Sequence, residues 1–217
     1  MKSHWSDYVL SSLFITAFLA VALGTVLLAQ GWTRALLGPS HVLADLALAL
    51  LAYGLASAAV LRLLLRLRPM PLGEHGADSV AFTYWKLLTV VYRLGQGAIG
   101  WCFPFFLRPL RDALFGARVG ADVAFGGTID DPYLVTVGTG SVLGNASLVS
   151  ANYIADGKLV CQPVVIGQGV TVGANAVVLP GVTIGDGATI SIGSVVMPGT
   201  RVPAGERWRG NPARKWL

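Results

Sequence analysis

The residues best suited to chemistry fall in two stretches, TIDDPYLVTVG (128–138) and SLVSANYIADGKLV (147–160). Asp130 and Asp131 are the leading carboxylate candidates, because a carboxylate within hydrogen-bond reach can take a proton from an attacking hydroxyl or amine. Tyr133 follows them, and Tyr153 and Asp156 add a second phenol and a third carboxylate. Asn152 differs in kind: its amide can donate to an oxyanion or orient a substrate, but it is not a base near neutral pH. Each residue also has a structural reading, since Asp-Asp-Pro bends a chain and Asp156-Gly157 is a turn signal. All three histidines, His4, His41 and His75, precede both stretches. A solvated linker position is expected for His75, and no metal site is expected.

A repeat of six residues positions this chemistry. Apolar residues fall at Val119, Phe125, Val137, Leu143 and Val149, then at Val160, Ile166, Val172, Val178, Ile184, Ile190, Val196 and Val202. Glycine often follows, as in IGQGVT, VGANAV and IGDGAT. β-Branched residues at that spacing, with glycine beside them, predict short parallel strands joined by tight turns and stacked into coils around one core. A helix is excluded by the many glycines, prolines and β-branched residues. Asp131 stands where the period calls for an apolar corner, which is costly if the carboxylate is buried without partners. The interval from Val149 to Val160 is one residue short of two hexads, so the intervening chain should leave the coil as a loop.

The N-terminal third has other physics. The chain is 54% hydrophobic and 12% charged, with a mean hydropathy of +0.64, against roughly 25% charged in an ordinary soluble domain. Residues 8–30 carry no charge and are flanked by Trp5 and Trp32; residues 42–61 carry only Asp45 and end at Arg62, Arg66 and Arg68. These lengths predict a two-span transmembrane helical hairpin within 1–68. Lys2 and the arginines after the second stretch, against Arg34 alone in the connecting loop, predict that the rest of the chain faces the cytoplasm. A cleaved signal peptide has a shorter apolar core, roughly 7 to 15 residues. Residues 69–118 read as a basic amphipathic, interfacial helical segment, with Phe82, Trp85, Val90 and Leu94 at helical spacing and Lys86 and Arg93 between them. A third span is not expected there, because the uncharged run 94–107 is short and contains Pro104. The net charge of +5 fits membrane lipids as partners; nucleic acid is not expected, there being no recognition motif. Two cysteines, Cys102 and Cys161, suggest no disulfide framework.

Residues 119–217 resemble the hexapeptide-repeat, left-handed parallel β-helix acyltransferases, both in the repeat and in the ending TRVPAGERWRGNPARKWL. The resemblance implies an all-β left-handed parallel β-helix, a homotrimer, and acetyl-CoA or another acyl-CoA as cosubstrate, so the expected fold is an N-terminal α-helical membrane region plus that β-helix. It implies a small-molecule or lipid-linked acceptor carrying a hydroxyl or amine; the charge distribution places the β-helix on the cytoplasmic side of an integral inner-membrane protein. Gly173, Ala174, Ser191 and Gly193 would lie against the pantetheine arm, and Arg209, Asn211, Arg214 and Lys215 near the CoA phosphates. Members of this superfamily commonly carry a histidine base in the loop leaving the repeat; here Asn152 occupies that place. The alternative is a non-catalytic trimeric β-helix scaffold or CoA-binding subunit.

Overall fold

The computed structural model describes Trp5–Trp216; Lys2 and His4 lie outside the described residues. The chain divides into two compact units, one of Met1–Met70 with Val80–Pro104 and one of Pro71–Ser79 with Phe105–Leu217.

The first unit is helical. Its Leu- and Ala-rich sequence forms α1 (Trp5–Leu37) and α2 (His41–Leu67), and the helical run Asp7–Leu67 is interrupted only by a 3-10 turn at Gly38–Ser40. Gly38 has a φ of +54° and Pro39 removes a donor, so the run folds back on itself. Near that turn Thr33 donates to Asp45 Oδ1 at 2.7 Å, and further along Phe18 meets Tyr53 edge to face at 5.5 Å. The third helix, α3 (Val80–Gly100), runs antiparallel to α2 over most of its length. At one end the Tyr84 hydroxyl lies 2.6 Å from the Arg68 carbonyl; in the middle Ser57 donates to the Val91 carbonyl at 2.6 Å. At the other end the Cys102 thiol lies 3.7 Å from the Ala47 carbonyl. A Cβ on Gly54 would come within 2.8 Å of Ile99, so that glycine sets how closely α2 and α3 approach. Lys86 pairs with Asp7.

The second unit is a parallel β-solenoid. One face stacks Arg118–Val119, Val135–Val137, Val164–Ile166, Thr183–Ile184 and Arg201–Val202. Four strands form another face: β2 (Thr128–Asp130), β3 (Leu148–Ser150), Val177–Val178 and Val195–Val196. The remaining face ends in a hairpin of β6 (Arg207–Gly210) and β7 (Ala213–Lys215). The hexad residues point inward: Val149, Ile166, Val172, Val178, Ile184, Ile190 and Val196 form one buried column. At the corners the coils touch backbone to backbone. A Cβ on Gly144 would sit 2.5 Å from the Ala174 nitrogen, which is why only glycine fits that corner.

Three expectations are corrected. Asp131 does not occupy an inward corner; Ile129 does, pairing with Val149, because the first coil turns two residues early and continues through the 3-10 turn Pro132–Leu134. Val160 is not a coil residue either, since the solenoid resumes only at Val164, in register with Val135. Between Ser150 and Val164 the chain forms a β-hairpin, β4 (Asn152–Ala155) and β5 (Lys158–Cys161), turned by Asp156 and Gly157 at φ of +50° and +71°. Positive φ at both turn residues gives the two-residue turn that matches strand twist. A third strand, β1 (Gly73–Gly76), pairs antiparallel with β5. Residues 69–118, expected to be helical, therefore include a strand that builds the hairpin sheet. They also include α4 (Arg108–Leu114), whose buried Asp112 is bridged by Arg111 at 2.8 Å.

Candidate active site

Asp131, Asn152 and Tyr133 come together where the solenoid breaks. The Asp131 carboxylate is fully buried, on a residue with a φ of +51° that carries the chain from β2 into the 3-10 turn. Asn152 Nδ2 donates to Asp131 Oδ2 at 2.7 Å, and the Tyr133 hydroxyl donates to Oδ1 at 3.1 Å. Two donors satisfy much of what burial takes from a carboxylate, which explains how an acidic residue survives there. Tyr133 is itself fixed from behind: Gly116, at a φ of +101°, passes so close that a Cβ would lie 3.0 Å from the Tyr133 Cβ. Asn152 is held by Ser150, whose hydroxyl donates to the Asn152 carbonyl at 2.8 Å.

Cys161, which sequence reasoning set aside, belongs to this group. It pairs with Asn152 across the hairpin and is fully buried. Burial, and then the negative charge of Asp131, push its thiol from a usual value near 9 to about 12. Cys161 is therefore a thiol at physiological pH and no nucleophile. Only the hairpin register, absent from the sequence pattern, could have found it.

The other site candidates are distributed differently. Asp130 is half-buried on β2, beside Ser150 in the parallel register. Tyr153 is half-buried and pairs with Val160, so it projects to the face opposite Asn152. Asp156 is exposed at the hairpin tip, four residues along β4 from Asn152 or roughly 13 Å. His75 lies not on a free linker but within β1, opposite Leu159, and shares a sheet face with Asn152 and Cys161. Its Nε2 is 3.0 Å from the Pro71 carbonyl, an acceptor only, so the neutral ring carries its proton on Nε2 and leaves Nδ1 as the basic atom.

Along one solenoid corner the candidates for an extended ligand stack coil on coil. Gly193 donates to the Ala174 carbonyl at 2.9 Å, Gly173 to the Ile190 carbonyl at 2.8 Å, and Gly210 to the Ser194 hydroxyl at 3.2 Å. Gly173, Ala174, Ser191 and Gly193 thus lie on adjacent coils next to the terminal hairpin, with Ile192 exposed between the last two. There Arg209 and Arg214 face each other across the strands, both exposed, and Asn211 sits in the turn between them. Like charges directly opposite repel, so an anion between them would be welcome. Arg209 stacks over Trp216 at 4.2 Å. Lys215 is committed elsewhere: it pairs with Glu206 at 2.7 Å, which holds that carboxyl below its usual range, helped by Trp208.

Residues 163–198 match the family described as bacterial transferase hexapeptide (six repeats). That stretch of the solenoid is a hexapeptide repeat. Among solved structures, the chain is similar to a hexapeptide-repeat acetyltransferase from Vibrio cholerae, at 25% identity over 48% of this chain and 62% of that one, with a TM-score of 0.44. It is similar to a galactoside acetyltransferase in complex with coenzyme A at 29% identity, over 47% of this chain and 55% of that one, with a TM-score of 0.43. A maltose O-acetyltransferase from Clostridium difficile aligns at 21% identity over 66% of this chain and 91% of that one, with a TM-score of 0.42. The chain thus spans less than two thirds of the first two relatives. No curated protein matches it.

Proposed function

We propose that this protein is an acyl-CoA-dependent acyltransferase, working as a homotrimer at a membrane with the hexapeptide-repeat domain on the cytoplasmic side. The observation that carries this reading is the buried Asp131 carboxylate gripped by Asn152 and Tyr133 at the break in the coils. A solenoid needs no buried acid to close, and such a group in a structural core is expensive. The small residues on adjacent coils next to the hairpin of Arg209 and Arg214 support acyl-CoA: small side chains let a thin chain approach backbone groups, and guanidinium forks match phosphate oxygens. The relatives' names, an acetyltransferase and a galactoside acetyltransferase with coenzyme A, point the same way.

In the reaction, the acceptor's hydroxyl or amine attacks the thioester carbon while Asp131 takes its proton. The tetrahedral intermediate collapses, the carbon–sulfur bond breaks, and the proton passes from Asp131 to the departing CoA sulfur. Asn152, turned by its bond to Asp131, orients that carboxylate; it does not replace it. The membrane role rests on α1 and α2, because only 11% of their most apolar window is buried within the protein, unlike the core helix of a soluble domain. Confinement to the membrane would raise the effective concentration of a lipid-linked acceptor.

A second reading, a non-catalytic trimeric scaffold or CoA-binding subunit, draws on the same site, since both Asp131 oxygens already accept hydrogen bonds. Release of CoA thiol from acetyl-CoA, measured with a panel of sugar, amino-alcohol and lipid-linked acceptors, separates the two. The enzyme reading expects turnover that rises in Asn152→His, where an imidazole can keep the bond to Asp131 and also act as base. CoA binding without turnover in either protein establishes the scaffold.

A further inference from the structure

We infer that the helical unit is a one-leaflet membrane anchor, lying along the bilayer surface, and that α1 and α2 do not cross the membrane. This rests on the membrane-bound reading above and replaces the two spans expected from sequence.

The argument begins with β1. Its residues Gly73–Gly76 are hydrogen-bonded to β5 in register from Cys161 to Lys158, and Pro71–Ser79 belongs to the same compact unit as Phe105–Leu217. A continuous β-sheet cannot be divided by a bilayer, so the chain before α3 and the chain after it lie on one side of any membrane. A single helix joins them, and it therefore crosses zero times.

That conclusion passes from α3 to its neighbours. α3 lies against α2 from Arg68, beside Tyr84, to Ala47, beside Cys102. A helix of 21 residues is about 30 Å long, the thickness of the hydrocarbon core. If α2 stood upright across a bilayer, α3 beside it would stand upright too, and its ends would emerge on opposite sides. Beyond Ala47 only six residues of α2 remain before the turn, roughly 9 Å at helical rise, too short to cross alone.

Charge placement agrees. Gly95 and Ile99 flank Gly54, the midpoint of α2, and Arg93 lies half a turn from Gly95 on an exposed part of α3. In a two-span hairpin that arginine would sit near the bilayer centre, where a charged side chain is rare and costly. Lys86 and Gln96 lie on the same helix. α1, by contrast, has no charge from Tyr8 to Thr33 and exposes Leu13, Leu19, Leu23, Leu27 and Leu28. α1 thus offers an uncharged apolar surface while α3 carries an exposed arginine, which suits a helix layer sunk about 5–10 Å into a single leaflet.

The test uses single-cysteine variants of the full chain, Ser40→Cys in the turn between α1 and α2 and Ala77→Cys in the turn after β1, each with Cys102→Ser. A membrane-impermeant maleimide is applied to intact spheroplasts and again after detergent. Both positions should label on the same side: neither in intact spheroplasts and both in detergent. Labelling of Ser40→Cys alone in intact spheroplasts would restore the spanning hairpin and overturn the inference. Labelling of both in intact spheroplasts keeps them on one side and supports it, while overturning the cytoplasmic placement. Recovery of the chain in the soluble fraction without detergent would instead overturn membrane attachment itself, and the inference with it. A variant that misfolds is recognised by reaction of the otherwise buried Cys161, and the unsubstituted chain then gives the same readout at Cys102, which should stay unlabelled in intact spheroplasts.

Discussion

The two ends of the solenoid obey different rules. From Val164 to Val202 every sixth residue is buried, and the strands at Val165, Thr171, Val177 and Thr183 each pair with the strand 18 residues further on. Between Val119 and Cys161 the first coil turns early at Ile129, a buried aspartate follows, and a hairpin leaves the coil to pair with a strand from far upstream. The regular end follows its period. The irregular end places an acid, an amide, a phenol and a thiol within one neighbourhood, at the expense of an ideal core.

The sharpest way to break this contrast is Asp131→Asn. If the irregular end is chemical, loss of the carboxylate should lower acyl transfer by roughly 10²- to 10⁴-fold, read as CoA thiol release, while CoA binding persists. An unchanged rate would make Asp131 structural and shift attention to Nδ1 of His75, within β1 of the hairpin sheet.

The counterpart at the regular end is Ile184→Ala. Ile184 is almost fully buried in the central column, and truncating such a residue costs about 2–5 kcal/mol, visible as a lower denaturation midpoint. Substrate affinity per folded molecule should not change. A large catalytic effect without loss of stability would show that the two ends are not separable in function.

Legibility followed the same division. Where side chains repeat with the geometry of the coil, as at Val172, Val178 and Ile190, periodicity alone located the core, because each position meets the same environment six residues later. Asp130, Asp131, Tyr133 and Asn152 stood out as departures from that pattern, yet the pattern could not say which would meet. Asp131 and Asn152 are 21 residues apart and touch only because β2 pairs with β3 and β4 then turns outward. The strand at Gly73–Gly76 was illegible: GEHG has no apolar alternation and becomes a strand only because β5 offers an unpaired edge. Asp156, a carboxylate candidate and also a turn signal in the sequence, occupies the hairpin turn at positive φ.

The terminal hairpin carries the proposed contact to the CoA phosphates, and Arg209→Ala tests that role. Loss of one charge-assisted contact to a phosphate, worth about 1.5–3 kcal/mol, should raise the KM for acetyl-CoA roughly 10- to 100-fold, with a smaller change in kcat. The effect should weaken as salt rises, because exposed charges are screened. Lys215→Ala should do less, since Lys215 already pairs with Glu206.

Tyr133→Phe has the smallest expected effect and the finest resolving power. It deletes one neutral donor to Asp131 and leaves the ring against Gly116, so stability should fall by only about 0.5–1.5 kcal/mol. If Tyr133 merely pays for burying the acid, its loss weakens folding and leaves the pH profile of acyl transfer unmoved. If it tunes Asp131 as a base, removing a bond to the charged form favours the protonated acid, and the acidic limb of the profile moves to higher pH. A shift of that limb, with the fold intact, would tie the irregular end to catalysis through a residue whose structural cost is slight.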